Sequence, residues 1–218
     1  MKESLSMSPE EYADHFLEND GQLARVKQNI AEKGMPDISI APGYGRLLTM
    51  LVAATKAAQV LEIGALGGYS GICLVRGLTP EGRLTSLELK QEFADVALEH
   101  LTEAGFGGQV DYLIGQAVDS LEMLKQEGRK FDFFFIDADK ENYPVYLEYA
   151  IELANPGAII AGDNTFLRGR TLNLDKNGPS VQAIRRFNEQ MATDDRLIGT
   201  ILPAYDGLAV AMVKPQGQ

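Results

Sequence analysis

FDFFFIDADKENY, running from Phe131 to Tyr143, is the stretch that decides the fold. Phe131, Phe133, Phe134, Phe135 and Ile136, interrupted by a single acid, form an apolar run too short for an ordinary helix and rich in strand formers. Such a run reads as a buried parallel strand. It ends in Asp137, Asp139 and Lys140. Ligands of an open parallel sheet bind beyond the carboxyl ends of its strands, so an acid directly after a buried run points at a binding crevice. Ala158 to Ala161 repeats the pattern, followed by Gly162, Asp163 and Asn164. A right-handed crossover helix from about Asn142 to Leu153 would make the two strands neighbours and bring their tips together. Asp137, Asp163 and Asn164 would then offer three oxygen donors beside Lys140, a set suited to a hard divalent cation and a proton transfer.

Outward from this stretch the chain alternates strand and helix, which implies a parallel sheet covered on both faces. Strands are expected at Val60 to Ile63, Arg83 to Leu87, Val110 to Ile114, Phe131 to Ile136 and Ala158 to Ala161. Upstream, Ser8 and Glu11 have capping-box spacing with Pro9 at the first helical position, so a helix begins there and runs, broken near Asn19 to Gly21, as far as Glu32. Met35 to Gly45 reads as a loop, either a connector or a flap over a cofactor, and Arg46 to Lys56 as a helix packed on the sheet. Downstream, a loop over Leu174 to Pro179 precedes a helix from about Ser180 to Met191, and two apolar runs around Pro203 to Gly207 form a closing hairpin.

The 218 residues, 45% of them hydrophobic, suffice for one domain over 1–218, with 1–45 as an N-terminal helical segment and flap. The single cysteine, Cys73, has no intramolecular partner and no leader pattern is visible, so a cytoplasmic protein is expected. No apolar run approaches the ~20 residues that span a bilayer. A net charge of −11 argues against a broad nucleic-acid surface. His15 and His100 are expected to face solvent. The amphipathic N-terminal segment and the closing hairpin leave apolar faces, so a homodimer is expected.

LEIGALGGYSG, Leu61 to Gly71, follows the first strand and opens a helix. Glycines there allow a tight turn and close approach of a ligand to the backbone, and the helix N-terminus favours negative groups. The dinucleotide fingerprint requires a glycine where this chain has Leu66, which counts against NAD. Glu88, ending the second strand, suits a ribose diol, and Glu62 beside the loop suits an ammonium. S-adenosylmethionine carries both.

LEIGALGGYS at Leu61 to Ser70, FIDADKENY at Phe135 to Tyr143, GDN at Gly162 to Asn164 and LPAYDG at Leu202 to Gly207 together resemble the cation-dependent class I S-adenosylmethionine O-methyltransferases, the group of caffeoyl-CoA and, more distantly, catechol O-methyltransferases. The resemblance implies a Rossmann-like doubly wound α/β fold, its mostly parallel seven-stranded sheet ordered 3-2-1-4-5-7-6 with strand 7 antiparallel. It implies that Asp137, Asp163 and Asn164 hold Mg²⁺, or Mn²⁺ or Ca²⁺. It implies that Glu62, Gly64, Ala65, Ser70, Glu88, Ala117 and Asp137 contact S-adenosylmethionine while Ile38 and Ile40 close over it. Lys140 would take the proton of a hydroxyl on a small phenolic acceptor, catechol-type or caffeoyl-like. Plant members differ at Leu66, at Gly67, in the DISIA flap and in the loop after GDN, so the acceptor is the part the resemblance specifies least. A metal-independent methyltransferase for another small acceptor, a nucleotide-dependent oxidoreductase and a non-catalytic binding module that keeps the fold are the competing readings.

Overall fold

The computed structural model describes residues 7–17 and 20–215. The Ser8 capping box forms, with Glu11 N donating to Ser8 Oγ and Ser8 N to Glu11 Oε2, and opens α1 (Pro9–His15). Helix α2 (Gly21–Glu32) starts anew with Asp20 Oδ1 accepting from Leu23 N, while Asn19 lies outside the described residues. Helix α3 (Pro42–Ala54) begins inside the segment expected to be a loop. Pro42 occupies its first turn, where a fixed φ and a missing N–H cost nothing.

The chain then alternates as β1 (Gln59–Ile63), α4 (Tyr69–Val75), β2 (Arg83–Glu88), α5 (Gln91–Glu103), β3 (Val110–Ile114), α6 (Ala117–Gln126), β4 (Phe131–Ile136), α7 (Tyr143–Leu153) and β5 (Ala154–Asp163). It closes with α8 (Pro179–Thr193), β6 (Leu197–Leu202) and β7 (Leu208–Val213). The strands form one sheet ordered β3-β2-β1-β4-β5-β7-β6, in which β7 runs antiparallel to β5 and β6.

Central β4 is buried on both faces, which is why its sequence is nearly all apolar. Phe134 and Ile136 pack into one core layer, Phe133 and Phe135 into the other, as a period of two demands. Phe131 breaks the alternation and sides with Phe134. The cause is a register shift: Phe131 pairs with Ala154 but Phe133 with Ile159. Strand β5 thus begins four residues before the expected Ala158, the turn-like Asn155-Pro156-Gly157 being absorbed as an irregularity at the sheet's lower edge.

Register places the site. Ile63 pairs with Leu87 on one side and Ile136 on the other, and Ile136 pairs with Gly162. The next residue of each strand, Glu88, Gly64, Asp137 and Asp163, therefore lies along a single carboxyl edge. On the outside, Tyr12, Phe16 and Ile198 are exposed, supplying the apolar faces read from the N-terminal segment and the hairpin.

Candidate active site

A cavity of about 710 Å³ opens along that edge, within the range of small-molecule sites. Its near wall is the loop between β1 and α4. Gly64 adopts φ 102° and sits so close to the Asp137 carbonyl that a Cβ would collide with it. Leu66 also takes a left-handed φ of 46°, unusual for a branched side chain. Glu88 holds the turn: its Oε2 accepts from Ala65 N at 3.2 Å and Leu66 N at 3.0 Å, and its Oε1 from Lys90 N at 3.0 Å. Glu88, Gly64, Ala65, Ser70 and Ala117 all line the cavity.

Residues Asp37 to Ile40 form the roof. Ile40 is buried and Ile38 exposed, and between them Ser39 Oγ is buried without a hydrogen-bond partner. A buried hydroxyl left in this state beside a cavity fits a polar ligand that would complete it.

At the far end Lys140 Nζ donates to Asp137 Oδ1 at 2.8 Å and to Tyr143 Oη at 2.7 Å. The Tyr143 hydroxyl lies 3.2 Å from the Ile136 carbonyl and 3.0 Å from that of Asp163, joining the tips of β4 and β5. Complete burial raises this phenol's pKa well above its ordinary value, so it stays protonated. Asp139, instead of pairing with Lys140, accepts from the Tyr146 hydroxyl and from Asn142 Nδ2.

Asp137 and Asn164 line the cavity, while Asp163 lies just behind them at 5% exposure. Burial, and then the Asp137 charge, pushes the Asp163 carboxyl up to about 7. Asn164 takes a φ of 59° and its N–H donates to Asp163 Oδ1 at 2.8 Å. Among the described residues no cluster of three His, Cys, Asp or Glu side chains is gathered for a metal. The candidate set is two carboxylates and one amide. All its donors are hard oxygens, and the repulsion between the two acids is what a divalent cation would relieve, so the residues fit such an ion.

The O-methyltransferase family model matches residues 13–214. This chain belongs to the O-methyltransferase family. It is 38% identical over 215 residues to a catechol O-methyltransferase of Niastella koreensis, covering 94% of this chain and 97% of that one. An O-methyltransferase from Bacillus cereus, solved in complex with SAH, superposes with a TM-score of 0.87 at 40% identity, over 94% of this chain and 96% of the other. The O-methyltransferase TomG of Streptomyces achromogenes, involved in tomaymycin synthesis and solved with SAM, gives 0.86 at 35% identity over 94% and 95%.

Within this O-methyltransferase, two expectations from the sequence need correction. Glu62 does not reach the cavity. It is fully buried beneath the glycine loop, its Oε1 accepting from Ser70 Oγ and its Oε2 from Ser86 Oγ, each at 2.6 Å. The carboxyl therefore orients Ser70 from behind, because its place in β1 turns it toward Ser86 of β2. His100 does not face solvent either. It is buried, with Nδ1 donating to the Gly67 carbonyl at 2.7 Å and Nε2 3.0 Å from Asn29 Oδ1, tying the loop to α2. Tyr143, Tyr146, Leu89, Phe93 and Gln116 belong to the site or its support and escaped the sequence reading. Only Tyr143 carried a signal, standing at a helix start within the same motif as Lys140.

Burial lifts the Glu62 pKa from 4.5 to about 7. A carboxyl with a raised folded-state pKa stabilises fully below its unfolded pKa, and that contribution is lost as pH rises through the folded value. The loss should therefore fall between about pH 4.5 and pH 7. Glu62→Gln keeps two polar atoms for Ser70 and Ser86 but cannot ionise. Its melting temperature relative to the parent should thus be higher at pH 8 than at pH 5; thermal melts showing the same difference at both values would reject this account.

Proposed function

We propose that this O-methyltransferase moves the methyl of S-adenosylmethionine to one hydroxyl of a small catechol-type or caffeoyl-like acceptor, with a divalent cation, Mg²⁺ or a related ion, held by Asp137, Asp163 and Asn164. The observation that carries the reading is one cavity with two chemically different ends: Glu88 beneath a glycine loop at one, and Asp137 and Asn164 with Lys140 at the other, Asp163 lying just behind them. Glu88 Oε1 and Oε2 keep lone pairs beyond those given to backbone N–H groups, enough to accept from a ribose diol. Gly64, Ala65 and Ser70 would meet the methionine portion, Ala117 and Phe93 the base, and Ile38 and Ile40 would cover it. S-adenosylmethionine supplies the methyl on a sulfonium, so an oxygen must be presented in line behind it. A divalent cation held by the oxygen donors would gather vicinal hydroxyls and make one of them more acidic. Lys140, steadied by Asp137 and Tyr143, is the group that accepts the proton. Holding two reactants in such geometry supplies roughly 7 to 11 kcal/mol of a barrier, so positioning is the main task of this site.

No helix among the described residues is long and apolar enough to cross a membrane, and a net charge of −11 argues against a broad nucleic-acid surface. We place the enzyme in the cytoplasm with a small-molecule partner.

Calorimetry tests the cofactor half of the proposal. S-adenosylmethionine should bind and NAD should not, because Leu66 projects a side chain where a pyrophosphate needs bare backbone. Glu88→Ala should weaken S-adenosylmethionine binding by roughly 10- to 100-fold through loss of charged hydrogen bonds to the diol and of the loop anchor. Parent-like affinity in that variant would refute the ribose assignment.

A further inference from the structure

Two arginines at the acceptor end of the cavity are unspent. Arg168 and Arg170 both line it, and neither guanidinium has an ion-pair partner among the described residues. The nearby Arg185 contrasts with them: its Nε donates to the Thr171 carbonyl, its Nη1 to Asn177 Oδ1 and its Nη2 to the Asn173 carbonyl, so it is consumed in building the loop. Arg170 gives only Nε, to the Leu167 carbonyl at 3.0 Å, which steadies the side chain and leaves its terminal nitrogens uncommitted. Neither of two acids that also line the cavity pairs with these guanidiniums. Asp139 accepts from Tyr146 and Asn142, and Asp206 Oδ1 accepts from Arg168 N at 2.6 Å.

The backbone that presents these arginines is strained. Leu167, Arg168 and Gly169 take left-handed φ values of 50°, 54° and 79° in succession. Side-chain-bearing residues persist there only when the surroundings over-determine them, and such strain gathers at ligand sites. Here the Leu167 side chain is buried, its N–H donates to the Asn164 carbonyl at 3.1 Å, and Asp206 holds the Arg168 N–H. Arg168 is thus fixed in the same turn as Asn164. In a chain of net charge −11, two exposed guanidiniums that line the cavity without an ion-pair partner among the described residues mark a subsite for negative charge.

We infer that the preferred acceptor is an anionic catechol, one whose ring or short side chain carries a carboxylate received by Arg168 and Arg170. The planar guanidinium fork of Arg170 matches a carboxylate in a bidentate arrangement. This inference rests on the proposed transfer to vicinal hydroxyls and adds the charge of the group at the other end of the acceptor.

The test compares three acceptors that share the hydroxyls and differ in charge: 3,4-dihydroxybenzoate, its neutral isostere 3,4-dihydroxybenzamide, and cationic dopamine, each with saturating S-adenosylmethionine and Mg²⁺. The kcat/KM for the benzoate should exceed that for the benzamide by roughly 10-fold or more, mainly through KM, with dopamine lowest. Raising ionic strength from about 0.05 to about 0.5 M should shrink the ratio. Arg168→Ala with Arg170→Ala should bring it near one, and Arg170→Lys should restore part of it, the charge returning without the fork. A parent enzyme that favours the benzamide or dopamine, or variants that slow all three acceptors alike, would overturn the inference while leaving the proposed function intact. Failure to methylate any of the three would remove the proposed function and the inference together.

Discussion

Asp163→Ala should abolish methyl transfer to catechols while S-adenosylmethionine still binds within about twofold of the parent affinity. The two effects separate because Asp163 belongs to the tip of β5, whereas the groups proposed for the cofactor come from the roof before α3, the loop after β1, the end of β2 and the starts of α5 and α6. Two carboxylates and an amide leave a six-coordinate ion three positions for acceptor oxygens and water, and losing one carboxylate removes a third of the protein's donors. The fold should tolerate the change. Asp163 is buried with its pKa lifted, so its charge is held at a cost, and its hydrogen-bond partner is the adjacent Asn164 N–H. EDTA should reproduce the loss in the parent enzyme, and added Mg²⁺ or Mn²⁺ should reverse it. Undiminished catechol methylation in EDTA, by protein shown to be metal-free, would leave these acids a structural or substrate-positioning role.

The half of this arrangement that lies in buried parallel strands was legible in the sequence. β1 to β4 begin and end within one residue of where they were expected, and the reason is plainest in β4, which is covered on both faces and has no solvent side to write in polar residues. The acids after β4 and β5 were legible for the same reason, standing where the apolar runs stop. What the sequence hid depends on partners far along the chain. Gly43 and Gly45 looked like loop punctuation, yet both lie inside α3. A Cβ on Gly43 would strike the Tyr205 hydroxyl, and one on Gly45 would meet Cys73 Sγ at 2.9 Å. Their smallness lets α3 pack against the β6–β7 connection at Gly43 and against α4 at Gly45, which no local pattern reveals.

Glu62 misled in a related way. An acid at the end of a strand was legible, but the face it takes is set by the twist of β1 and by Ser86 across the β1–β2 pair. Tyr143 was hidden by its own motif. As an aromatic at the start of a helix it reads as core, and it is fully buried; only the structure shows its hydroxyl meeting both strand tips and Lys140. A side chain can be core by area and part of the site by one atom.

Lys140→Ala should lower kcat by about 10² to 10⁴, the range usual for loss of a general base, while leaving S-adenosylmethionine affinity near that of the parent. The alternative is that Lys140 merely offsets the charge of Asp137 in an ion pair, and the two roles differ in what removal does to the metal. Taking an ammonium away from a site with two carboxylates makes the site more negative, so the variant should bind Mg²⁺ at least as well as the parent. A pure ion-pair role would therefore leave turnover close to normal once metal is saturating. The proton-accepting role predicts that turnover stays low at every metal concentration. Lys140→Arg sharpens the contrast, because a guanidinium keeps the charge beside Asp137 but does not give up its proton. If Lys140→Arg turned over like the parent under saturating Mg²⁺, the lysine would be a charge partner only, and the acceptor's proton would have to leave by another route.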